Sequence, residues 1–412
     1  MMRRVVITGM GVVSAVGNST QQFWQNVKDG RHGFTKIQGF DTTDFDIKYA
    51  AEIHNWDATE FDINKKDARR MDRFTQFALA ATNQALNQSG SLAGYDPFKV
   101  GVIVGSGIGG FETYEEEHKK FIEKGASRVS VFFIPMIICN MAAGTIAIQH
   151  GFKGTNFCTV TACASATNAI GEAFRAIKHG YIDAAVAGGT EAAITMCAMA
   201  GFNNMGALSN SNDPDRLSIP FDKERNGFAM GEGAGILVLE ELESAVKRGA
   251  NIIAEVVGYG ATSDAYHITS PAPDGSGAAK AMEFAIEEAG VKPQDIDYVN
   301  AHGTSTPLND DFETKAIKAV FGEYAKNGLA VSSTKSVTGH LLGAAGGVEA
   351  IVCAMALNEG VIPPTANYKV KDEACDLDYV TEGARKANIK YAISNSLGFG
   401  GHNATIAFKK YQ

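Results

Sequence analysis

The chain has 412 residues, 45% of them hydrophobic and 20% charged, with a formal charge of −9. That is apolar material for two or three ordinary domains or one large duplicated unit, and the acidic balance argues against general nucleic-acid binding. Six scattered cysteines without a CxxC pair predict free thiols in a reducing, cytoplasmic setting, and no apolar run is read as reaching the roughly 18 residues of a membrane span.

The opening RRVVITGMGVVSAVG carries Val5, Val6 and Ile7, which predict a first strand turning into a glycine-containing loop rather than a secretory leader. INKKDARRMDRF gathers Lys65, Lys66, Arg69, Arg70 and Arg73, a cationic face that is either solvated or a dock for an acidic partner. A helix is predicted over Arg73–Gln88 and a buried strand over Val100–Val104. That strand enters GSGIGG, which fits the dinucleotide pattern G-x-G-x-x-G at Gly105, Gly107 and Gly110. Acidic residues in the following FETYEEEHKKF stand where a pyrophosphate would sit, and no second strand ending in a ribose-binding acid follows. These glycines are therefore assigned to close packing beside a pocket.

TVTACASATNAIGEAF, from Thr159 to Phe174, places Cys163 just ahead of a predicted helix over Ser165–His179. The apolar positions Ala166, Ala169, Ile170, Ala173, Phe174 and Ile177 keep the 3.6-residue period. Cys163 has two readings here. It is a small buried hydrophobe, or a nucleophile whose thiol pKa is lowered by the positive end of the helix. Further strands are predicted over Ala184–Ala187, Ile236–Leu239, Ala254–Val257, Tyr298–Val299, Tyr391–Ile393 and Thr405–Phe408. Helices are predicted over Gly277–Ala289, Asp311–Phe321 and Leu342–Leu357, with Gly180, Gly290 and Gly360 as stop signals. The alternation of apolar runs and amphipathic helices predicts an α/β fold with largely buried sheets.

Three later stretches bear polar groups of chemical interest. NAHGTSTPLNDDFE sets His302 at a strand end, where parallel sheets bind ligands; SSTKSVTGHLLGAAGG holds Lys335 and His340 among small residues; NSLGFGGHN is a glycine-rich loop around Phe399 suited to aiming N–H groups at an oxyanion. No spacing among Cys158, Cys163, His302 and His340 matches a zinc pattern. An internal echo aligns Thr161-Ala162-Cys163 with Thr338-Gly339-His340, and Glu172-Ala173 with Glu349-Ala350. Gly188–Ala192 similarly parallels Gly400–Ala404. The echo predicts a duplicated fold with halves of 1–250 and 251–412, in which Cys163 and His340 occupy matching strand-to-helix junctions.

Six blocks in order carry a family likeness: TACAS, GGTEA, PFDKERNGFAMGEGAGILVLE, NAHGTSTP, TKSVTGHLLGAAGGVEA and NSLGFGGHN. With them the chain resembles the β-ketoacyl-[acyl-carrier-protein] synthases of the thiolase-like superfamily, nearest to the type II elongation class. The resemblance implies a thiolase-like α/β fold, duplicated and five-layered (αβαβα), with two pseudo-twofold-related halves. It implies fatty-acid elongation by decarboxylating condensation of acyl and malonyl thioesters through an acyl-cysteine. It assigns Cys163 as nucleophile, His302 and His340 as the histidine pair, Lys335 as their electrostatic partner, and Phe399 as gate. The N–H groups of Cys163 and Phe399 would form the oxyanion hole. Ile108, Phe202, Thr304, Thr306 and Gly400 would bind substrate, and the Lys65–Arg73 face would dock the acyl carrier protein. No soluble cofactor is implied, since the carrier brings its own phosphopantetheine. A structural monovalent cation near Asn300, Glu349, Ser394 and Asn395, and a homodimer pairing through Thr155–Thr159, belong to the same expectation. Ile219, Asn309, Leu397 and His402 depart from the commonest family pattern, which leaves pocket shape and chain-length preference open. A non-catalytic chain-length-factor-like partner and a type I or polyketide-type ketosynthase are the alternatives.

Overall fold

The computed structural model describes residues 2–412. Its first half contains β1 (Val5–Ser14), β2 (Val100–Gly105), β3 (Asn156–Phe157), β4 (Ala184–Glu191) and β5 (Gly233–Glu241). The second contains β6 (Ala254–Ser263), β7 (Tyr298–Asn300), β8 (Ala330–Ser332), β9 (Tyr391–Gly398) and β10 (His402–Lys409). Neighbours run β1-β5-β4-β2-β3 in the first half and β6-β10-β9-β7-β8 in the second. In each half the first two pairings are antiparallel and the last two parallel. The two orders are the same once strands are counted within each half. β1 and β6 pair antiparallel through Val5–Ile7 and Ala254–Val256, joining ten strands into one sheet.

Five helices complete the layers: α1 (Arg73–Ser89), α2 (Ser165–Lys178), α3 (Ser276–Ala289), α4 (Pro307–Phe321) and α5 (Ala345–Glu359). α1 covers β1 and β5, α3 covers β6 and β10, and α4 packs on α3. Between the halves, α2 and α5 touch each other and strands of both. Helices and sheet halves thus alternate in five layers. The outer contact is made the same way twice. A Cβ on Gly9 or Gly11 of β1 would lie 2.1 or 1.8 Å from the Ala85 or Ala81 carbonyl of α1. On Gly258 or Gly260 of β6 it would lie 2.0 or 1.9 Å from the Ala285 or Ala281 carbonyl of α3.

Two expectations are corrected. The Leu342–Glu359 run is 18 residues long and apolar enough to span a membrane, but 83% of it is buried inside the protein; a helix apolar on all sides is also what the centre of a large core requires. The duplication is real in topology but not in the register read from sequence. Ala162 and Leu342 both take a positive φ (50° and 46°), and each opens a single 3₁₀ turn leading into α2 or α5. Gly343, not His340, is therefore the counterpart of Cys163. Gly188–Ala192 ends β4, whose counterpart is β9, whereas Gly400–Ala404 is the turn into β10. Helices over Thr20–Lys28, Phe111–Lys124 and Met141–His150 lie outside the predicted set. The second of these buries only Thr113 and Glu117, so no apolar stripe announces it.

Candidate active site

Cys163 sits in the 3₁₀ turn at the head of α2, directly after Ala162, whose φ of 50° is a strained backbone conformation. Neighbouring side chains hold that turn. Ser165 Oγ donates to the Ala162 carbonyl at 2.7 Å and accepts from the Thr161 N–H at 2.9 Å. Asn168 donates to Thr161 Oγ1 at 2.7 Å. The thiol is 7% exposed and opens on a cavity of about 640 Å³ that His302, His340 and Phe399 also line. The sulfur and one ring nitrogen from each histidine lie within 4.8 Å of one another.

His302 follows β7 on a loop that Glu313 of α4 ties down. The carboxylate of Glu313 accepts the His302 N–H at 2.8 Å and the Gly303 N–H at 2.7 Å. Lys335 Nζ donates to the His302 carbonyl at 2.7 Å, lies 3.4 Å from His302 Nδ1, and ion-pairs with Glu349 inside the protein. An ammonium has only donors, so Nδ1 must accept and the ring proton is assigned to Nε2. The His340 ring stands edge-on to His302 and to Phe228, each with centroids 5.2 Å apart. His340 also accepts from Gly231 N–H through its carbonyl and donates its own N–H to the Ala229 carbonyl.

Burial sets the protonation states. It pushes the Cys163 thiol up to about 12, against the opposing pull of Lys335 and with Glu191 adding to the rise. The expected lowering by the helix end is thus outweighed by desolvation. Burial and the Lys335 charge hold both His302 and His340 well below the usual histidine range, with each ring neutral at physiological pH. The resting site is a neutral thiol beside two neutral imidazoles and one ammonium.

The Phe399 N–H lies on the sulfur's side of the cavity and favours the charged form of the Cys163 thiol. Gly398 permits that approach: a Cβ there would be 2.8 Å from the Thr161 carbonyl and 3.1 Å from the Cys163 nitrogen. Phe202, Thr304 and Thr306 line the cavity as expected. Gly400 does not; its N–H is taken by the Ile268 carbonyl at 2.7 Å, and Gly401 lines the cavity instead. Ile108 packs in the apolar cluster that holds Cys163, Phe202, Phe228 and Leu342. Lys65, Lys66, Arg69 and Arg70 are exposed. Arg73 is not part of that face: it turns inward to buried Glu232 at 2.8 Å, beside a separate hollow of about 720 Å³.

Two metal questions can be put to the geometry. Cys163, His302 and His340 do converge, which their sequence spacing did not suggest, but the Lys335 ammonium 3.4 Å from His302 Nδ1 opposes a divalent cation there. Near Lys335, Asn300 Oδ1, Glu349 Oε2 and Ser394 Oγ are buried acceptors without a hydrogen-bond partner, and Asn300 faces Ser394 across the β7–β9 pairing. These three fit a cation. Asn395 is already engaged on both ends of its amide: Thr405 donates to its oxygen and its nitrogen donates to Glu313.

Comparison with known proteins decides the family. The family description "Beta-ketoacyl synthase, N-terminal domain" matches residues 2–245, and "Beta-ketoacyl synthase, C-terminal domain" matches residues 253–369. The chain belongs to the β-ketoacyl synthase family. Among its relatives, a 3-oxoacyl-[acyl-carrier-protein] synthase 2 of Synechocystis sp. is 52% identical over 412 residues, covering 100% of this chain and 99% of the relative. The protein of the same name from Staphylococcus aureus is 52% identical over 411 residues, with 100% and 99% covered. Of solved structures, the ishigamide ketosynthase/chain length factor superposes with a TM-score of 0.92 at 34% identity, and a β-ketoacyl synthase of Burkholderia phymatum with 0.91 at 34%. Both alignments cover 100% of each chain. The fold of this β-ketoacyl synthase is thus the thiolase-like one.

The departures from the commonest family pattern fall around, not within, the Cys-His-His-Lys group. Leu397 and Asn309 line the active-site cavity, Asn309 with its amide held by Asp310 at 3.0 Å. Ile219 is buried and takes Ser305 Oγ on its N–H at 3.0 Å. His402 lies half-buried at the turn beside Gly400. Sequence reasoning missed Glu313, Glu191 and Gly398. Glu313 had one signal, an acid on the helical repeat that α4 buries.

Proposed function

We propose that this β-ketoacyl synthase is a fatty-acid elongation enzyme of the 3-oxoacyl-[acyl-carrier-protein] synthase 2 type. The observation that carries the reading is the meeting of a thiol, two neutral imidazoles and an ammonium at one cavity, with the Phe399 N–H on the sulfur's side of it. Cys163 sulfur attacks the acyl thioester, its proton passing to an adjacent imidazole. Negative charge grows on the carbonyl oxygen beside the Cys163 and Phe399 N–H groups; one such donor is typically worth about 10²–10³ in rate. The carrier's C–S bond breaks and the carrier leaves as its thiol.

Malonyl-carrier then enters. Its carboxylate leaves as CO2, the electron pair becomes an enolate, and the Nε2–H of His302 with the neighbouring His340 ring stabilises the enolate oxygen. The carbanion attacks the acyl-cysteine carbonyl, the Cys163–acyl bond breaks, Cys163 leaves as thiolate and takes up a proton from solvent, and the 3-oxoacyl-carrier departs. Lys335 does not reach the substrate side of the rings. It fixes the His302 tautomer and lowers the proton affinity of both rings.

The exposed Lys65, Lys66, Arg69 and Arg70 suit docking of an acidic carrier protein, and one structure similar to this chain shows a type II polyketide ketosynthase in complex with its acyl-carrier protein. We assign no soluble cofactor to the reaction, because the phosphopantetheine arm arrives on the carrier. A monovalent cation held by Asn300, Glu349 and Ser394 would fix the Lys335–Glu349 pair in place. A homodimer and a cytoplasmic location complete the proposal, the latter resting on six free cysteines. Full-length identity of 52% to a 3-oxoacyl-[acyl-carrier-protein] synthase 2, against 32% to the type II polyketide ketosynthase structure, favours elongation over polyketide synthesis. The presence of Cys163 disfavours the non-catalytic partner.

The test is mass spectrometry of the protein mixed with acyl-carrier substrate. Acyl mass should appear on Cys163 alone of the six cysteines, and Cys163→Ala should lose both this adduct and 3-oxoacyl formation. Condensation by that variant would overturn the assignment.

A further inference from the structure

The dinucleotide-like GSGIGG is assigned to close packing, and its loop meets a buried acid that the reaction above does not use. Glu191 ends β4, is fully buried, and accepts four hydrogen bonds from two separate segments of the chain. Its Oε1 takes Ser106 Oγ at 2.9 Å and the Ile108 N–H at 3.1 Å; its Oε2 takes the Gly107 N–H at 2.8 Å and the Gly343 N–H at 2.9 Å. Gly107 and Gly343 leave the room this requires. A Cβ on either would stand 2.9 or 2.6 Å from Oε2. The first segment carries Ile108, which packs with Cys163 and Phe202. The second is the turn three residues past His340, at the position that mirrors Cys163.

We propose that Glu191 is a positioning residue that clamps the loop bearing Ile108, packed in the apolar cluster beside Cys163, to the turn behind His340, and so governs which acyl chains Cys163 accepts. Two hydrogen bonds on each oxygen fix the loop's distance from that turn, and with it the depth available beside the sulfur. The same negative charge opposes formation of the Cys163 thiolate. Facing that sulfur are Lys335, Glu349 and the two neutral histidines; Lys335 favours the thiolate, as does the Phe399 N–H, and Glu349 opposes it.

This inference rests on acylation of Cys163. The experiment therefore first confirms acyl mass on Cys163 of the wild-type protein; its absence would sink the functional reading and not the clamp. Ser106→Ala removes one donor and keeps the charge. Its preference between short and long acyl thioesters, taken as the ratio of kcat/KM values, should change by about threefold or more, while the pH profile of Cys163 alkylation stays in place. Glu191→Gln sets an NH2 group against two N–H or O–H donors. It should change the ratio further and move the alkylation profile to lower pH. A wild-type chain-length ratio in both variants overturns the proposal, and so does an unmoved alkylation profile in a folded Glu191→Gln protein.

Discussion

A thiol buried next to carboxylates keeps its proton, and that gives Cys163 a distinctive pH signature. With the group pushed up to about 12, the reactive thiolate fraction rises about tenfold per pH unit throughout the working range. Alkylation of Cys163 by a neutral reagent should climb without a plateau below about pH 10, read by quenched labelling and peptide mass. A plateau near neutrality would mean that Lys335 and the helix end outweigh desolvation. The histidines shift the other way: both stay neutral well below the usual histidine value, so the acid limb of condensation should lie below about pH 6.5. Gly398 offers a second residue-scale test. Gly398→Ala puts a methyl group 3.1 Å from the Cys163 nitrogen, and acyl transfer should fall by about 10²-fold or more while the far-ultraviolet spectrum is unchanged. Cys163, His302, His340, Lys335 and Phe399 were legible in sequence through the six-block resemblance; their own stretches leave each open between a structural and a chemical reading, and the structure brings all five to one cavity or its edge. Glu191 and Glu313 were not legible, because a buried acid acquires its role from loops more than eighty residues away or across a helix turn, which spacing does not encode. The direction of the thiol shift was misread for a related reason: the helix end is local, but the burial that defeats it comes from both halves of the chain.

Helices and strands here meet at distances that only glycine allows, twice over. Gly11 lies against the Ala81 carbonyl of α1 and Gly260 against the Ala281 carbonyl of α3, with a hypothetical Cβ 1.8 and 1.9 Å away. Gly11→Ala and Gly260→Ala should each destabilise the protein by about 2–3 kcal/mol or more, the usual cost of overpacking a core. Denaturant midpoints would show this, at unchanged slope. Gly94, where an added methyl group would meet nothing within 4 Å, is the control, and Gly94→Ala should leave the midpoint in place. The long strands were readable as β-branched runs, whereas β3 and β8, two and three residues long, are too short to show a period. The duplication was detected and yet misregistered by three residues. Shifting a helix by three turns its face by about 60° only, and α5 is buried on nearly every side, so the apolar stripe of α2 matches it nearly as well in the wrong register. Backbone resolves the matter, through the positive φ shared by Ala162 and Leu342.

At the scale of the whole molecule, β3 is the exposed feature that the single chain does not account for. It is the outermost strand of its half, and its free edge leaves backbone donors and acceptors unpaired. Phe157 on the strand and Val160 just past it are exposed, as are Ile148 on the helix beneath and Val131 and Ile134 nearby. Apolar side chains gathered along a free edge are what a second copy would cover, and antiparallel β3–β3 pairing would continue the sheet from one protomer into its partner. The edge also leads directly to the nucleophile. Thr159 Oγ1 donates to the Ser165 carbonyl at 2.7 Å, and the Ser106 N–H reaches the Thr159 carbonyl at 3.3 Å, so fraying β3 would loosen the turn that carries Cys163. On the homodimer proposed above, Phe157→Asp should sediment as a monomer in analytical ultracentrifugation at concentrations where the unaltered protein sediments at twice that mass. Acylation of Cys163 should fall with it, in proportion to the monomer fraction, and recover at protein concentrations that restore the dimer. A monomeric variant that acylates at the full rate would separate the interface from the site and confine β3 to assembly alone.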